Sequence, residues 1–153
     1  MVGTIFSACS SIDCPVQNTV VTRYCLLKAT GTADTLSDSL FIRTVKRNGK
    51  DSLILNAGIR LTEFKLPISY TSPEDTLYFS LHGSNGIITN DTVWIKKENI
   101  PHFESVDCSA AFFHVITAVR YTHNGIDSIV INNSEVNYDP SDEHFHLYIK
   151  DRR

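Results

Sequence analysis

A chain of 153 residues with 42% hydrophobic and 20% charged side chains fits one domain with a buried core, and leaves little room for a second. Its formal charge of −3, with basic residues only in short groups such as Lys46, Arg47 and Lys50 or Lys150, Arg152 and Arg153, argues against the electrostatic footprint of a nucleic-acid-binding protein. No apolar run approaches the roughly 18 residues that a membrane-crossing helix requires.

The first eleven residues read Met1-Val2-Gly3-Thr4-Ile5-Phe6-Ser7-Ala8-Cys9-Ser10-Ser11. Small residues before a Cys, after apolar ones, resemble the lipobox that closes a bacterial lipoprotein signal peptide. On that reading residues 1–13 are a signal remnant and tether, Cys9 carries the lipid, and residues 14–153 form the folded domain. Phe6 stands where lipoboxes usually have Leu, and no Lys or Arg precedes it.

Thr, Ser, Ile and Val dominate the ordered-looking stretches, and no apolar stripe recurs every 3.6 residues, so the fold class is all-β. In chain order the expected strands are Thr19 to Lys28, Ser39 to Lys46, Ser52 to Leu55, and Lys65 to Tyr70. The fourth carries Pro67, which assigns it to a sheet edge or a bulge. Thr76 to His82 follows, with Leu77, Phe79 and Leu81 on one face, then Ile87 to Lys96 with a break near Asn90. Ala110 to Tyr121 is the longest, with Phe113, Val115, Val119 and Tyr121 on one face and Phe112, Ile116 and Ala118 on the other. Asp127 to Asn132 and His144 to Ile149 complete the set. Asn48-Gly49 and Asn124-Gly125 read as hairpin turns. Eight or nine short strands with frequent turns describe a single-domain antiparallel β-sandwich of Ig-like or jelly-roll-like type.

Asp, then Ser or Thr, then an aliphatic residue occurs six times, at Asp34-Thr35-Leu36, Asp38-Ser39-Leu40, Asp51-Ser52-Leu53, Asp75-Thr76-Leu77, Asp91-Thr92-Val93 and Asp127-Ser128-Ile129. Composition alone gives roughly one. A turn residue followed by a β-prone pair accounts for most copies as strand entries. The triplet is also similar to the O-glycosylation acceptor of Bacteroidetes-type envelopes, which makes the hydroxyls of Thr35, Ser39, Ser52, Thr76, Thr92 and Ser128 candidate sites.

Beyond Cys9, the thiols are Cys14, Cys25 and Cys108. In an oxidising compartment three thiols leave one pair and one single. Cys14 and Cys108 each sit beside an Asp outside apolar runs and are the favoured bridge. Cys25, within Tyr24-Cys25-Leu26-Leu27, reads as a small buried hydrophobe. With all four reduced, the protein is cytoplasmic instead.

His144 and His146 share a strand face next to Asp142 and Glu143, but two ligands make half a metal site, and the pair reads as exposed terminal polar residues. His114, among Phe112, Phe113 and Ile116, reads as a satisfied core histidine. His102 falls in a loop after Pro101, and His123 precedes the second Asn-Gly. No Gly-x-Ser-x-Gly elbow, phosphate loop or His-Glu-x-x-His occurs, so neither catalytic residues nor a metal or other cofactor is expected.

Several blocks together, Cys14-Pro15 with Asn18-Thr19-Val20, Thr35-Leu36-Ser37-Asp38-Ser39-Leu40, Leu66-Pro67-Ile68-Ser69-Tyr70, Asp75-Thr76-Leu77, Pro101-His102-Phe103, Asp107-Cys108 and Arg120-Tyr121-Thr122-His123 leading to Ile126-Asp127-Ser128-Ile129-Val130, resemble a domain-of-unknown-function family of small Bacteroidetes-type cell-envelope lipoproteins. The resemblance implies a β fold and an envelope location, supports the Cys14–Cys108 pairing, and carries no activity. The resulting expectation is a non-catalytic, lipid-anchored binding or accessory module on the outer membrane, its periplasmic or its surface face, with a protein or glycan partner and no nucleic acid. Two alternatives are a hydrolase of envelope polymers using loop carboxylates such as Asp107 and Asp139, and an assembly module that pairs through the Pro67 edge.

Overall fold

Ten strands occur among the residues that the computed structural model describes, namely 3, 20–46, 48–103, 111–139 and 141–151. They are β1 (Val21–Leu26), β2 (Ser39–Val45), β3 (Asp51–Gly58), β4 (Glu63–Pro67), β5 (Glu74–His82), β6 (Ile88–His102), β7 (Ala111–Tyr121), β8 (Ile126–Ile131), β9 (Glu135–Val136) and β10 (Phe145–Ile149). A four-stranded sheet, β4-β1-β10-β8, packs on a six-stranded one, β3-β2-β5-β6-β7-β9, as a sandwich. The nine expected strands are all present. The tenth, β9, is two residues long in a stretch of Asn, Ser and Glu, too short and too polar to register as a periodic pattern.

Alternation supplies the core. Leu77, Phe79 and Leu81 of β5, Val93 and Ile95 of β6, and Leu40 and Ile42 of β2 meet Tyr24, Phe64 and Phe145 from the other sheet. The last three are cross-strand neighbours on β1, β4 and β10, and their rings stack at 4.9 and 4.7 Å, the spacing of adjacent strands. Phe79 closes the row edge-on against Phe64 at 6.2 Å. Pro67 ends β4, an outermost strand, where a missing N–H breaks no ladder.

Four expectations are corrected. β1 and β10 pair in parallel, so the sandwich is not purely antiparallel; ends of the chain this far apart in sequence meet without a turn to dictate their direction. β6 runs unbroken through Asn90 to His102, because Asn90 and Asp91 pair with Ser80 and Phe79 of β5; His102 therefore ends a strand rather than sitting in a loop. Along β7 the ladder passes from Lys96–Ala118 to Lys97–Ile116, leaving Thr117 as a bulge. That extra residue shifts the alternation, so His114 and Ile116 are buried on the same side as Val119 and Tyr121, which pack on the core.

The fourth concerns Asn124-Gly125, which is no hairpin: β7 and β8 belong to different sheets, and Gly125 lacks a positive φ. The segment is an arch from one sheet to the other. Gly125 is there for space, since a Cβ would lie 2.7 Å from Leu81 Cδ1 and 3.1 Å from Thr89 Cγ2. Gly125→Ala is expected to cost about 1–3 kcal/mol through overpacking, read as a lower urea midpoint at unchanged slope; an unchanged midpoint would show that the arch yields freely. Asn48-Gly49 does close the β2–β3 hairpin, with Lys46 N–H donating to Lys50 O at 2.8 Å and Gly49 at φ 79°.

Candidate binding site

The outward side of the six-stranded sheet is the unusual surface. Register aligns Arg43 of β2 with Tyr78 of β5 and Thr92 of β6, then Phe41 with Ser80 and Asn90, then His82 with Ile88. These rows line a shallow, open groove of about 520 Å³, bordered by Thr122 and Asn124. Tyr78 is 44% exposed and Ile88 56% exposed. Phe41 packs against the His82 ring at 4.5 Å, and His82 Nε2 shares a 2.9 Å hydrogen bond with Ser80 Oγ. Further along the same side of β6, the Arg120 guanidinium lies 4.8 Å from the Trp94 ring centroid and 3.3 Å from Glu74. Among the described residues, the Arg43 guanidinium, Asn90 amide, Thr92 hydroxyl and Tyr78 hydroxyl have no hydrogen-bond partner.

Sequence reading missed this surface. Its signal was available: Phe41, Tyr78 and Trp94 occupy alternate positions whose neighbours fill the core, so these strands carry apolar residues on both faces where one should be polar.

Two inward clusters of polar residues are fully engaged. The buried Lys97 ammonium donates to Ser72 O at 2.7 Å, Asp75 Oδ1 at 3.0 Å and Ser69 Oγ at 3.3 Å, while Asp75 also accepts from the Ser69 N–H and hydroxyl. Asp91 accepts from the Thr122 hydroxyl and from the backbone N–H groups of Asn124, Gly125 and Ile126 at 2.5 to 2.9 Å. Both are Asp of the recurrent triplet. The period of two places the Asp and the aliphatic residue on one face, and Leu36, Leu40, Leu77, Val93 and Ile129 are all buried, with Leu53 the exception at 44% exposed.

Of the six candidate hydroxyl residues, Thr35 is exposed in the β1–β2 connection; the other five are half-buried. Ser39 begins β2, Ser52 and Ser128 lie near the starts of β3 and β8, and Thr76 near that of β5. Thr92 is the departure from strand entry, lying inside β6 because Asp91 serves the arch rather than a turn. Cys9, Cys14 and Cys108, with Asp107, fall outside the described residues. Cys25 is a buried free thiol, pushed up to about 11 by burial, as befits an inert core residue.

His114 is 2% exposed and shares a 2.7 Å hydrogen bond between Nδ1 and Asn99 Oδ1. Burial first, then the Lys97 charge, lowers its pKa to about 4. An unfolded histidine protonates near 6.5, so between these values the unfolded chain holds more protons and stability falls as pH drops, by at most about 1.4 kcal/mol per unit. Urea unfolding at pH 7, 5.5 and 4.5 should show this slope, and His114→Gln should reduce it; equal slopes would remove His114 as its source. His144 is not exposed as expected but 1% accessible: Nδ1 accepts the Arg23 N–H at 2.9 Å, its backbone N–H donates to Arg23 O, and burial lowers its pKa. His146 instead pairs with Glu143 at 3.0 Å. Among the described residues, no three His, Cys, Asp or Glu side chains gather as a metal site.

Fold and surface together define a β-sandwich domain with one open, aromatic sheet face. The chain belongs to DUF6452, a family of unknown function, which matches residues 39–149, from the first residue of β2 to the last of β10. No curated protein and no solved structure matches it.

Proposed function

We propose that this domain is a non-catalytic binding module of the bacterial cell envelope, held on a membrane by lipid at Cys9, that presents the outer face of its six-stranded sheet to a protein or glycan partner. The observation that carries the reading is the groove over β2, β5 and β6, where exposed Tyr78 and Ile88 lie beside the Arg43 guanidinium and the Asn90 side-chain amide, neither with a partner among the described residues. Aromatic surface with a few free polar groups is the usual make-up of a recognition site. Binding is favoured over polymer hydrolysis because the inward carboxylates Asp75 and Asp91 are tied into structural networks, and Asp139 lies in an exposed turn with Ser141.

A photo-crosslinking residue placed at Tyr78 in intact cells should form adducts, while the same residue at Lys65, on the outward side of β4, should not. Equal adducts at both positions, or none at Tyr78, would remove the face as the site. Intact mass of the membrane-extracted protein should show a chain beginning at an acylated Cys9; an unmodified Met1 would end the anchoring part.

A further inference from the structure

We infer that the groove's ligand is an acidic polysaccharide, a chain of sugars bearing carboxylates, which rests on the binding reading above and deepens it. A sugar ring offers a face of C–H bonds and a rim of hydroxyls, so it needs flat apolar platforms with hydrogen-bonding groups between them. The groove has this layout: the Tyr78 ring in one row and, two rows on, the His82 ring with Phe41 packed against it, with Ser80 between them on β5 and the short polar side chains of Asn90 and Thr92 alongside on β6. The Arg43 guanidinium, Asn90 amide, and Tyr78 and Thr92 hydroxyls are unengaged among the described residues, and so are available to ring hydroxyls.

Charge sets the class of sugar. Arg43 is the cation of the groove and has no ion pair, whereas the bordering carboxylate, Asp91, spends both oxygens on the arch beneath. With the Asp91 oxygens turned to the arch, the charge presented to the open side of the groove is the unpaired Arg43 guanidinium, which can take a carboxylate through two parallel hydrogen bonds. Length points to a polymer, because the face from Ile88 to Trp94 runs about 20 Å at the rise of a strand.

A peptide fits less well. Extended peptides gain affinity by pairing main chain with a sheet edge, but β5 is flanked on both sides and β2 lies between β3 and β5. The core of a protein interface is a continuous apolar patch, and here hydroxyl and amide groups interrupt the rings.

Native affinity electrophoresis of the full chain tests this, with gels containing polygalacturonate, alginate or hyaluronan, carboxyl-reduced polygalacturonate, or polyglutamate. At least one acidic polysaccharide should retard the protein. Arg43→Gln and Tyr78→Ala should each weaken that retardation about tenfold, the value of one charge-assisted or stacking contact, with unchanged circular dichroism. Retardation by the carboxyl-reduced polymer equal to that by polygalacturonate would overturn the acidic assignment, and retardation by polyglutamate equal to that by the sugars would show attraction by charge alone. Failure of all three acidic polysaccharides overturns the inference. In that event adducts at Tyr78 in cells would keep the binding module with another partner, and their absence would end both.

Discussion

Replacing Asp91 by Ala is expected to remove about 4 kcal/mol of stability, since each buried donor left without a partner costs about 1–3 kcal/mol. The carboxylate is 4% exposed and receives three successive backbone N–H groups, from Asn124, Gly125 and Ile126, at 2.7 to 2.9 Å. The first two belong to the arch between β7 and β8, which has no ladder of its own, and the third opens β8, so Asp91 stands in for the missing strand partner where the chain changes sheet. Four kcal/mol is a large share of the roughly 5–15 kcal/mol that holds a domain together. Asp91→Asn should fall between, because one amide oxygen still accepts while the amide nitrogen faces other donors. The measurement is urea unfolding followed by fluorescence of Trp94. A loss under about 1 kcal/mol for Asp91→Ala, the value of one ordinary hydrogen bond, would mean that packing at Gly125 holds the arch and the carboxylate does not.

The second large effect lies at the far end of the same sheet. Asp75→Ala should cost about 3–5 kcal/mol, because it strands the Lys97 ammonium, whose side chain is fully buried, without its counter-charge. Lys97→Met should cost less: the carboxylate left behind is 13% exposed and keeps the Ser69 N–H and hydroxyl as donors. The double variant should therefore be more stable than Asp75→Ala alone, the reverse of additive damage. Additive losses in that cycle would show that Lys97 and Asp75 are not coupled, and that the carbonyl of Ser72 satisfies the ammonium by itself.

How much of this was legible differs from element to element. β5 was read with its inward Leu77, Phe79 and Leu81 correctly placed, because alternation over nine residues is a local signal. β7 was read with the right ends and the wrong faces, because the bulge at Thr117 is a mismatch of count between two strands and neither strand alone records it. His144 looked like a terminal polar residue, yet it closes a hydrogen-bonded corner with Arg23, a residue more than a hundred positions away. The triplets illustrate the same boundary. Their spacing told that Asp and the aliphatic residue share a face, but only the packing decided that Asp75 would meet Lys97 and Asp91 would hold the arch.

The binding face was half legible. Apolar residues on both sides of β2, β5 and β6 were visible, but which side would be covered depended on where the second sheet lies, and that is settled by contacts between β1, β4, β8 and β10.

Taken alone, the amino-acid sequence determined the all-β class, nine of the ten strands described, the restriction of Pro67 to an edge or a bulge and the burial of Cys25, all of which follow from propensity and period within a few neighbouring residues. Tertiary structure decided the parallel union of β1 with β10, the crossing at Asn124-Gly125, the burial of Lys97 and His144, and which aromatic rings face water. Each of these depends on a partner tens of residues away, and the free energy that selects that partner comes from burying surface and pairing charges in three dimensions, which no local pattern encodes.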